Sequence, residues 1–379
     1  MKVVHIATLH KRHDSRILIK ECASLYKAGF DVTLIVGDGA GDENFDGVTI
    51  IDVGRPEGRF AGRLVPMWHA MRKVRQMSPD VIHFHDPMFL PLAIMLALSR
   101  WRVIYDVHED YPRQVSNLRF ALPIRFTASI AYTVLEWIGS FPFTRIIAAT
   151  PHIANRFPTG KTVLVQNFPL LDELNIPDPT PMNERPLEFT YIGGITEVRN
   201  IYRMIEAVSR VAGGQARLRL AGQFFMRETQ RNAEQMPGWS SVKFEGWVSR
   251  EGVAKLLADG RAGLVVLKPV PHEMVSLPIK LFEYMAAGLP VISSDFPVWR
   301  EIVEGAQCGL LVDPTSTDEL VRAMQWILDN PEEAQAMGQR GRIAVTETYN
   351  WDREAEALIA CYRSLFGETS LKSGTNGGR

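Results

Sequence analysis

Short apolar runs alternate along the chain with longer segments of helical periodicity. The segment 16–28, for example, has helical periodicity, is followed by Gly29 and separates two runs rich in Val and Ile. Strands that alternate with helices in this order are typical of βαβ units around a parallel sheet. We therefore predict a doubly wound α/β domain over residues 1–174, with strands at 3–7, 32–36, 81–84, 103–107, 146–149 and 163–166.

The same alternation restarts after a proline-rich segment. Residues 175–187 contain four prolines and little apolar material, which indicates a linker. A last helix at about 352–366 has an apolar face that must be buried, and we expect it to pack back on the N-terminal domain. We predict a second Rossmann-like domain over 188–351, with strands at 188–192, 217–221, 242–245, 262–267, 291–293 and 309–312.

Composition narrows the class of protein. A chain of 379 residues favours two domains, and a net charge of −1 gives no general attraction to nucleic acid. The cysteines Cys22, Cys308 and Cys361 form neither a disulfide pattern nor a zinc motif, so we expect a reducing, cytoplasmic location. The longest apolar run falls short of the ~18 residues of a membrane span, and the N-terminus is typical of a buried strand, not of a signal peptide.

The segment around Lys280 carries the clearest chemistry. Ser276 is a suitable N-cap and Pro278 suits a first helical turn, whose free amides and positive dipole end attract anions. Lys280 adds a cation to that turn, and Glu283 lies three residues further on the same face. This spacing fits a nucleoside diphosphate, with Lys280 at the phosphates and Glu283 at the ribose. An ordinary capped helix with a Lys280–Glu283 ion pair fits the spacing equally well.

A series of motifs runs along almost the whole chain, in segments 13–16, 104–109, 191–194, 199, 220–222, 244–247, 280–292, 300–303, 309–312 and 349–351. These motifs resemble those of the family-4 glycosyltransferases, which have the fold named GT-B. Their order and spacing together carry the resemblance, because no single motif decides it. It implies an α/β protein of two Rossmann-like domains whose parallel sheets face an interdomain cleft.

The resemblance implies a retaining glycosyltransferase that takes a sugar from a nucleotide diphosphate sugar. Glu283 would bind the ribose, and Trp247 and Val248 would frame the base. The donor diphosphate would be bound by Gly194, Arg199, Ser276, Ile279 and Lys280. The sequence contains no Asp-x-Asp pair, so we expect no metal and no cofactor, only a UDP- or GDP-sugar whose charge is neutralised by cations and a helix N-terminus.

His108 is the predicted catalytic residue, because the resemblance places it against the transferred sugar. Without the resemblance, a lone histidine at the end of a strand is more often structural. Asp14, Arg16 and Glu109 would lie on the acceptor side. Since no carboxylate stands out as a covalent nucleophile, we expect departure and attack on one face of the sugar, within one ion pair.

Two positions depart from the family pattern. A first glutamate, which usually contacts the sugar, would precede Glu283 by eight residues, where this chain has Val275. Glu273 or backbone amides near Ser276 are the candidate substitutes. The loop after the first strand, residues 8–12, is poor in glycine and is expected to bind the acceptor differently.

Basic and aromatic residues are interleaved in two segments of the N-terminal half. Such a pattern suits an anionic membrane surface, although a solvated helix face over a buried stripe gives the same pattern. With the resemblance, we expect a carbohydrate or lipid-linked acceptor and peripheral attachment to the cytoplasmic side of a membrane. The residues are Arg55, Arg59, Phe60, Arg63, Met67, Trp68, Arg72, Lys73 and Arg75, and the stretch 113–138.

Two other functions fit the same features. A UDP-sugar 2-epimerase of this architecture would use the same diphosphate site and need no acceptor. A non-catalytic nucleotide-sugar-binding protein would account for Val275. The sequence disfavours a nicotinamide dehydrogenase, because no Gly-x-Gly-x-x-Gly motif follows the first strand.

Overall fold

A computed structural model describes residues 1–55, 61–108, 110–112, 122–171 and 180–367, except for the side chains of 61, 63 and 122–125. The chain divides into two compact units. One consists of Met1–Asn167 and the described residues from Trp351 onward, and the other of Phe168–Asn350. The division precedes the predicted boundary at 174 because the ring of Phe168 packs 4.7 Å from Phe282 and 5.5 Å from Tyr349, in the second unit.

The predicted linker is shorter than the proline pattern suggested. Its residues 175–179 lie outside the described part of the chain. Met182 is buried in the core of the second unit, and its amide donates to the side-chain oxygen of Gln335 at 3.1 Å. The described residues 180–187 therefore belong to the second unit, and the prediction that they are linker is wrong.

The first unit is built on a mostly parallel sheet. Its described strands follow the order β3-β4-β2-β1-β5-β6-β7-β8, and β3 runs antiparallel to β4. The strands are β1 Lys2–Ala7, β2 Asp31–Val36, β3 Glu43–Phe45, β4 Val48–Asp52, β5 Val81–Phe84, β6 Val103–Val107, β7 Arg145–Ala148 and β8 Thr162–Leu164. The central strands are buried on both faces, as continuous apolar runs predict for parallel strands.

The sequence pattern does not predict β3 and β4. Asp46 and Gly47 join them, both with positive φ, of 46° and 89°. An Asp-Gly pair in this conformation is a strong signal for a hairpin turn. The strands on either side are short, which is why the apolar alternation alone missed them.

Helices cover both faces of this sheet. The first begins as a π-helical segment, Ser15–Cys22, and continues as α1, Ala23–Lys27. The Asp14 carboxylate caps it by accepting from the amides of Arg16 (2.9 Å) and Ile17 (3.0 Å). Gly29 follows with φ of +89°, as expected of a residue that ends a helix. The other helices of the unit are α2 Ala61–Met77, α3 Leu90–Leu98, α4 Leu122–Ser140, α5 Pro151–Ala154 and α13 Trp351–Ser364.

Helix α13 packs on the first unit, although it follows the second unit in the sequence. Trp351 is buried, and its indole Nε1 donates to the Ser24 hydroxyl at 2.9 Å. The ring of Tyr362 packs against Phe30, with centroids 5.5 Å apart, and its hydroxyl lies 2.8 Å from Nδ1 of His83. The apolar face that the sequence predicted for this helix is therefore buried on residues that precede it by more than 270 positions.

The second unit has a parallel sheet in the order β11-β10-β9-β12-β13-β14. Separate apolar cores lie on its two faces, one around Phe189 and Leu218 and the other around Phe282 and Trp299. The strands are β9 Glu188–Ile192, β10 Arg217–Ala221, β11 Val242–Gly246, β12 Ala262–Val265, β13 Val291–Ser294 and β14 Gly309–Val312. The helices are α6 Ile201–Arg210, α7 Arg227–Glu234, α8 Arg250–Asp259, α9 Ile279–Ala286, α10 Pro297–Ala306, α11 Thr317–Asp329 and α12 Pro331–Glu347.

Two helical glycines of this unit should respond in opposite ways to alanine. A Cβ on Gly338 of α12 would lie 2.0 Å from the carbonyl oxygen of Gly288, whereas a Cβ on Gly305 of α10 meets nothing within 4 Å. Gly305→Ala should therefore raise the free energy of unfolding by about 0.5–1 kcal/mol through helix propensity. Gly338→Ala should lower it by about 1–3 kcal/mol through overpacking. Urea denaturation measures both, and a stabilised Gly338→Ala variant would contradict this packing.

Candidate active site

In the second unit, backbone hydrogen bonds join the loops that follow β9, β10 and β11. The amide of Gly193 donates to the carbonyl of Ala221 at 2.9 Å, and that of Gly222 donates to Gly246 at 2.7 Å. Gly222 has φ of +144°, and a Cβ there would lie 1.9 Å from the carbonyl oxygen of Gly193. Only glycine permits this approach, which places the Gly193-Gly194 loop at the carboxyl edge of the sheet.

Lys280 lies directly beside that loop. Its Nζ is 4.0 Å from the centroid of the Tyr191 ring. A Cβ built on Gly193 would lie 3.1 Å from this Nζ. Tyr191 is fixed by its hydroxyl, which donates to the carbonyl of Gly194 at 2.7 Å. Within the described part of the chain, the Lys280 ammonium contacts the face of the Tyr191 ring but makes neither a hydrogen bond nor an ion pair.

Burial lowers the pKa of Lys280 to about 7, and the nearby Arg199 cation lowers it further, while Glu283 and Glu273 act in the opposite direction. The structure thus holds a lysine whose charged form lacks compensation. An anion beside Nζ would restore the charged form, which is the property expected of a ligand-binding cation.

The helix that carries Lys280 begins at Ile279, with Pro278 in the capping position and no side-chain cap. The prediction that Ser276 caps it is wrong. The Ser276 hydroxyl instead donates to the carbonyl of Glu273 at 3.0 Å, because the backbone stays extended through Pro278. The amides of Ile279 and Lys280 consequently have no acceptor among the described residues, and they supply the positive end of the helix dipole.

Glu283 does not pair with Lys280, which was the structural alternative to a binding role. Its Oε1 accepts from Nη1 of Arg250 at 2.9 Å. Sequence reasoning missed Arg250, although it shares the signal of Lys280, since both are cations in the first turn of a helix. That position is unfavourable for a cation unless an anion is nearby.

Arg199 and Glu273 form another of the charged pairs of this unit, with Nη1 and Oε2 3.6 Å apart. The Glu273 side chain is mostly buried and also accepts from the Ser276 hydroxyl at 3.3 Å. These contacts orient the Arg199 guanidinium, which keeps 30% of its side-chain surface exposed. Glu273 therefore has a partner already, and nothing in its contacts shows that it replaces a glutamate at Val275.

Two exposed aromatic rings flank the glycine loop and the end of β11. Trp247, predicted to frame the base, is 72% exposed, and the neighbouring Val248 packs on the core. Phe225 is 73% exposed, and its ring lies 2.7 Å from where a Cβ on Gly194 would be. Phe225 was not among the predicted site residues. The only feature of the sequence that could have indicated it is its aromatic side chain in the loop after β10. Exposed rings at strand ends suit stacking on a planar group.

In the first unit, His108 follows β6 at the carboxyl edge of the sheet. Its side chain is 13% exposed, and Nδ1 lies 3.6 Å from Oδ1 of Asp106. Its ring packs edge-on against His10, with centroids 5.0 Å apart. Asp106 is buried, and the positive charge of Arg16 keeps its pKa well below the usual range despite that burial. His108 thus has a carboxylate beside one ring nitrogen, an arrangement common in general acid–base catalysis.

The residues predicted for the acceptor side, Asp14, Arg16 and Glu109, do not form one surface among the described residues. Arg16 is buried, with Nε 2.9 Å from Oε1 of Glu21 and Nη2 3.2 Å from Oδ1 of Asp106. We therefore assign Arg16 to the buried network and not to the acceptor surface. The Asp14 carboxylate is engaged as the helix cap described above, and Glu109 lies outside the described residues.

The second unit is an α/β unit of the Rossmann type, and its glycine loop, its helix start without a side-chain cap and Lys280 form an arrangement that suits an anionic ligand such as a diphosphate. Two family profiles match successive parts of the chain. Glycosyltransferase Family 4 matches residues 15–161, and Glycosyl transferases group 1 matches residues 172–344. The chain belongs to this family of glycosyltransferases, as its motifs predicted.

Known proteins are similar over different shares of the chain. The MMP alpha-(1->4)-mannosyltransferase of Mycolicibacterium hassiacum is 33% identical over 124 residues, which are 32% of this chain and 29% of that protein. The chain spans less than half the length of this protein and of the alpha-D-kanosaminyltransferase of Streptomyces kanamyceticus, which is 24% identical over 48% of this chain and 47% of that protein.

Solved structures are similar over nearly the whole chain. Sucrose-phosphate synthase from Thermosynechococcus elongatus has a TM-score of 0.75 at 19% identity, covering 97% of this chain and 100% of that one. HepE of Anabaena in complex with UDP-glucose has a TM-score of 0.74 at 14% identity, covering 96% and 100%. At these identities the likeness shows the fold, which is GT-B as predicted.

The pKa of Lys280 makes anion affinity depend on pH. A nucleotide sugar suits the test because both of its phosphates are diesters and do not titrate near neutrality. Above a pH of about 7 the free protein has a neutral Lys280, so binding must take up a proton. As the pH rises from about 7 to the higher pKa that Lys280 has in the complex, the affinity for the nucleotide sugar should fall about tenfold per pH unit.

Isothermal titration calorimetry in buffers of different ionisation enthalpy measures both the affinity and the proton uptake. Lys280→Arg is the control, because a guanidinium stays charged and should flatten the dependence. An affinity of the unmodified protein that is constant across this range would contradict the assignment.

Proposed function

We propose that this chain is a retaining, metal-independent hexosyltransferase that binds a nucleotide diphosphate sugar in its second unit. The observation that carries the proposal is the uncompensated positive charge at the start of α9. There the amides of Ile279 and Lys280 lack acceptors, and the Lys280 ammonium lies beside the Gly193-Gly194 loop with no anionic partner among the described residues. A diphosphate satisfies all of these groups at once.

These groups also explain how the donor bond would be broken. The nucleoside diphosphate gains negative charge as the sugar leaves, and fixed cations stabilise that charge more in the transition state than in the ground state. Lys280, Arg199 and the helix amides would supply this stabilisation without a metal. Arg199 is suited to the role because Glu273 already orients its guanidinium.

Glu283 would accept hydrogen bonds from the two ribose hydroxyls. Arg250, 2.9 Å from Oε1, holds the carboxylate in place before the nucleotide arrives. Trp247 would stack on or border the base. The similar proteins include a GDP-mannose-dependent mannosyltransferase of Mycobacterium tuberculosis and a structure bound to UDP-glucose, which supports a UDP- or GDP-sugar as the donor.

His108 would contact the transferred sugar through Nε2. Asp106, 3.6 Å from Nδ1, favours the tautomer with the proton on Nδ1 and so leaves the Nε2 lone pair for a sugar hydroxyl. Its role would be to orient the sugar while the acceptor attacks on the face from which the nucleotide leaves. Retention of the anomeric configuration is proposed on family membership.

A panel of UDP-, GDP- and ADP-sugars, tested by thermal shift, checks the donor site. One nucleotide class should stabilise the protein. In Glu283→Ala the affinity for that class should fall about 10- to 100-fold, because a hydrogen-bonded charge contributes roughly 1.5–3 kcal/mol. Glu304→Ala is the matched control, since Glu304 is an exposed carboxylate on the neighbouring helix α10.

An equal response of the Glu283→Ala and Glu304→Ala variants would remove the ribose assignment. Incubation of the stabilising donor without an acceptor separates the transferase from a 2-epimerase, which would convert the nucleotide sugar by itself. The absence of stabilisation by any nucleotide sugar would contradict the proposed function.

The acceptor is proposed to be a carbohydrate or lipid-linked precursor, reached at the cytoplasmic surface of a membrane. Along α4, the side chains of Phe126, Ile130, Val134 and Trp137 recur at helical spacing and are between 47% and 68% exposed. Phe141, just after the helix, continues this face and is 54% exposed. An apolar helix face of this kind suits the interfacial region of a bilayer.

Helix α2 supports the same proposal only in part. Trp68 is 52% exposed, and Arg72, Lys73 and Arg75 are exposed on the same helix. Met67, which the sequence pattern included in this surface, is fully buried in the core, while Arg59 and Phe60 lie outside the described residues. Within the described residues, every helix is too short or too polar to cross a bilayer.

Vesicle sedimentation tests the membrane proposal. The protein should sediment with anionic vesicles at low salt and be released as salt rises, because basic side chains contribute to binding. Trp137→Ser should weaken the affinity for the vesicles about 10- to 100-fold, since burial of one large apolar side chain contributes about 1.5–3 kcal/mol. Ile343→Ser is the control, because Ile343 is 55% exposed in the second unit, away from α4 in the chain. Failure to sediment at low salt would exclude attachment.

A further inference from the structure

Four ionisable side chains meet in the interior of the first unit, apart from the residues assigned to donor binding. His5 lies in β1, Glu21 in the π-helical segment, His83 in β5 and His85 directly after that strand. Their exposed fractions are 1% or less. Histidine and glutamate are among the residues least expected to be buried together without a common partner.

The polar atoms of this cluster face one another and lack sufficient partners. Nε2 of His83 and both carboxylate oxygens of Glu21 are buried and make no well-formed hydrogen bond within the described residues, although Nε of Arg16 lies 2.9 Å from Oε1 of Glu21. Oε2 of Glu21 lies 4.0 Å from Nε2 of His83 and 3.9 Å from Nε2 of His85, and Nδ1 of His5 lies 3.0 Å from the latter. One ligand atom from each residue falls within 4.8 Å of the others.

These separations suit a four-coordinate cation. Ligand atoms about 2.0–2.2 Å from a tetrahedral zinc ion are roughly 3.3–3.6 Å apart, so the observed atoms need to move by less than an ångström. Three imidazoles and a carboxylate form a donor set that zinc accepts readily.

The outer partners of the cluster also fit a metal. Nδ1 of His83 lies 2.8 Å from the Tyr362 hydroxyl, and Nδ1 of His85 lies 3.3 Å from Oδ2 of Asp106. Metal-binding histidines usually place the second ring nitrogen against a hydroxyl, carbonyl or carboxylate in this way. Nε of Arg16, 2.9 Å from Oε1 of Glu21, supports the carboxylate from the side opposite its Oε2 contacts.

We propose that His5, Glu21, His83 and His85 bind one divalent cation of the zinc type. All four coordination positions are taken by protein, so the ion would be structural. It would join β1, β5 and the π-helical segment, and through Tyr362 it would fix helix α13. It would also set the position of Asp106, which lies between His85 and His108.

The proposal does not depend on the proposed function, because its residues all lie in the first unit and the donor residues in the second. Protein without an affinity tag, produced in zinc-supplemented medium and dialysed, should contain about one zinc per chain by elemental mass spectrometry. Removal of the ion with a chelator should lower the melting temperature by about 5–10 °C, and zinc should restore it, if binding is saturated about a hundredfold above Kd.

Two variants locate the ion. His83→Gln and Glu21→Gln should each lose stoichiometric zinc and the response to chelator. His69→Gln is the matched control, because His69 is an exposed histidine of the same unit whose Nδ1 lies 3.2 Å from the Val53 carbonyl.

If the variants fail to fold, cobalt added to the metal-free unmodified protein provides a separate measurement. A tetrahedral cobalt centre gives strong visible absorption bands that zinc then abolishes by competition. The proposal would be overturned if the purified protein contained no metal and its melting temperature changed with neither zinc nor chelator. So would full retention of zinc by a folded His83→Gln variant.

Discussion

An uncompensated positive potential at the start of α9 is the constraint on which the account of the second unit depends. A lysine that is partly buried beside a guanidinium, at the positive end of a helix, is destabilising in the protein alone. The structure keeps it there by packing the ammonium on Tyr191 and by joining three strand ends through glycine backbone contacts. An anion bound at this site, as proposed, would offset the positive potential.

The two units differ in how far the charged side chains of their candidate sites are buried. In the candidate donor site of the second unit, Arg199 and Arg250 are partly exposed and each is paired with a carboxylate, as suits a binding site. The first unit contains a network of fully buried charges, with Arg16 between Glu21 and Asp106 and several imidazoles packed around them. His108 lies at the boundary of that network, where a buried carboxylate can orient a ring that is still accessible.

The sequence alone predicted the alternation of strands and helices and the segment around Lys280, because both depend on local periodicity and on residues close together in the chain. It missed the β3–β4 hairpin, whose signal is a turn and not an apolar run. It also placed the helix cap at Ser276, since the extended conformation through Pro278 is set by tertiary contacts. Arg250 at Glu283, and the histidines around Glu21, come from distant parts of the chain and could not be predicted from spacing.

The most direct measurement is a crystal structure of the protein with its stabilising nucleotide sugar, grown without divalent cations. The account predicts diphosphate oxygens within hydrogen-bond distance of the Ile279 and Lys280 amides and of the Lys280 ammonium, with the ribose at Glu283. A nucleotide bound in another part of the protein, or a diphosphate that binds only when a metal bridges it to carboxylates, would contradict it.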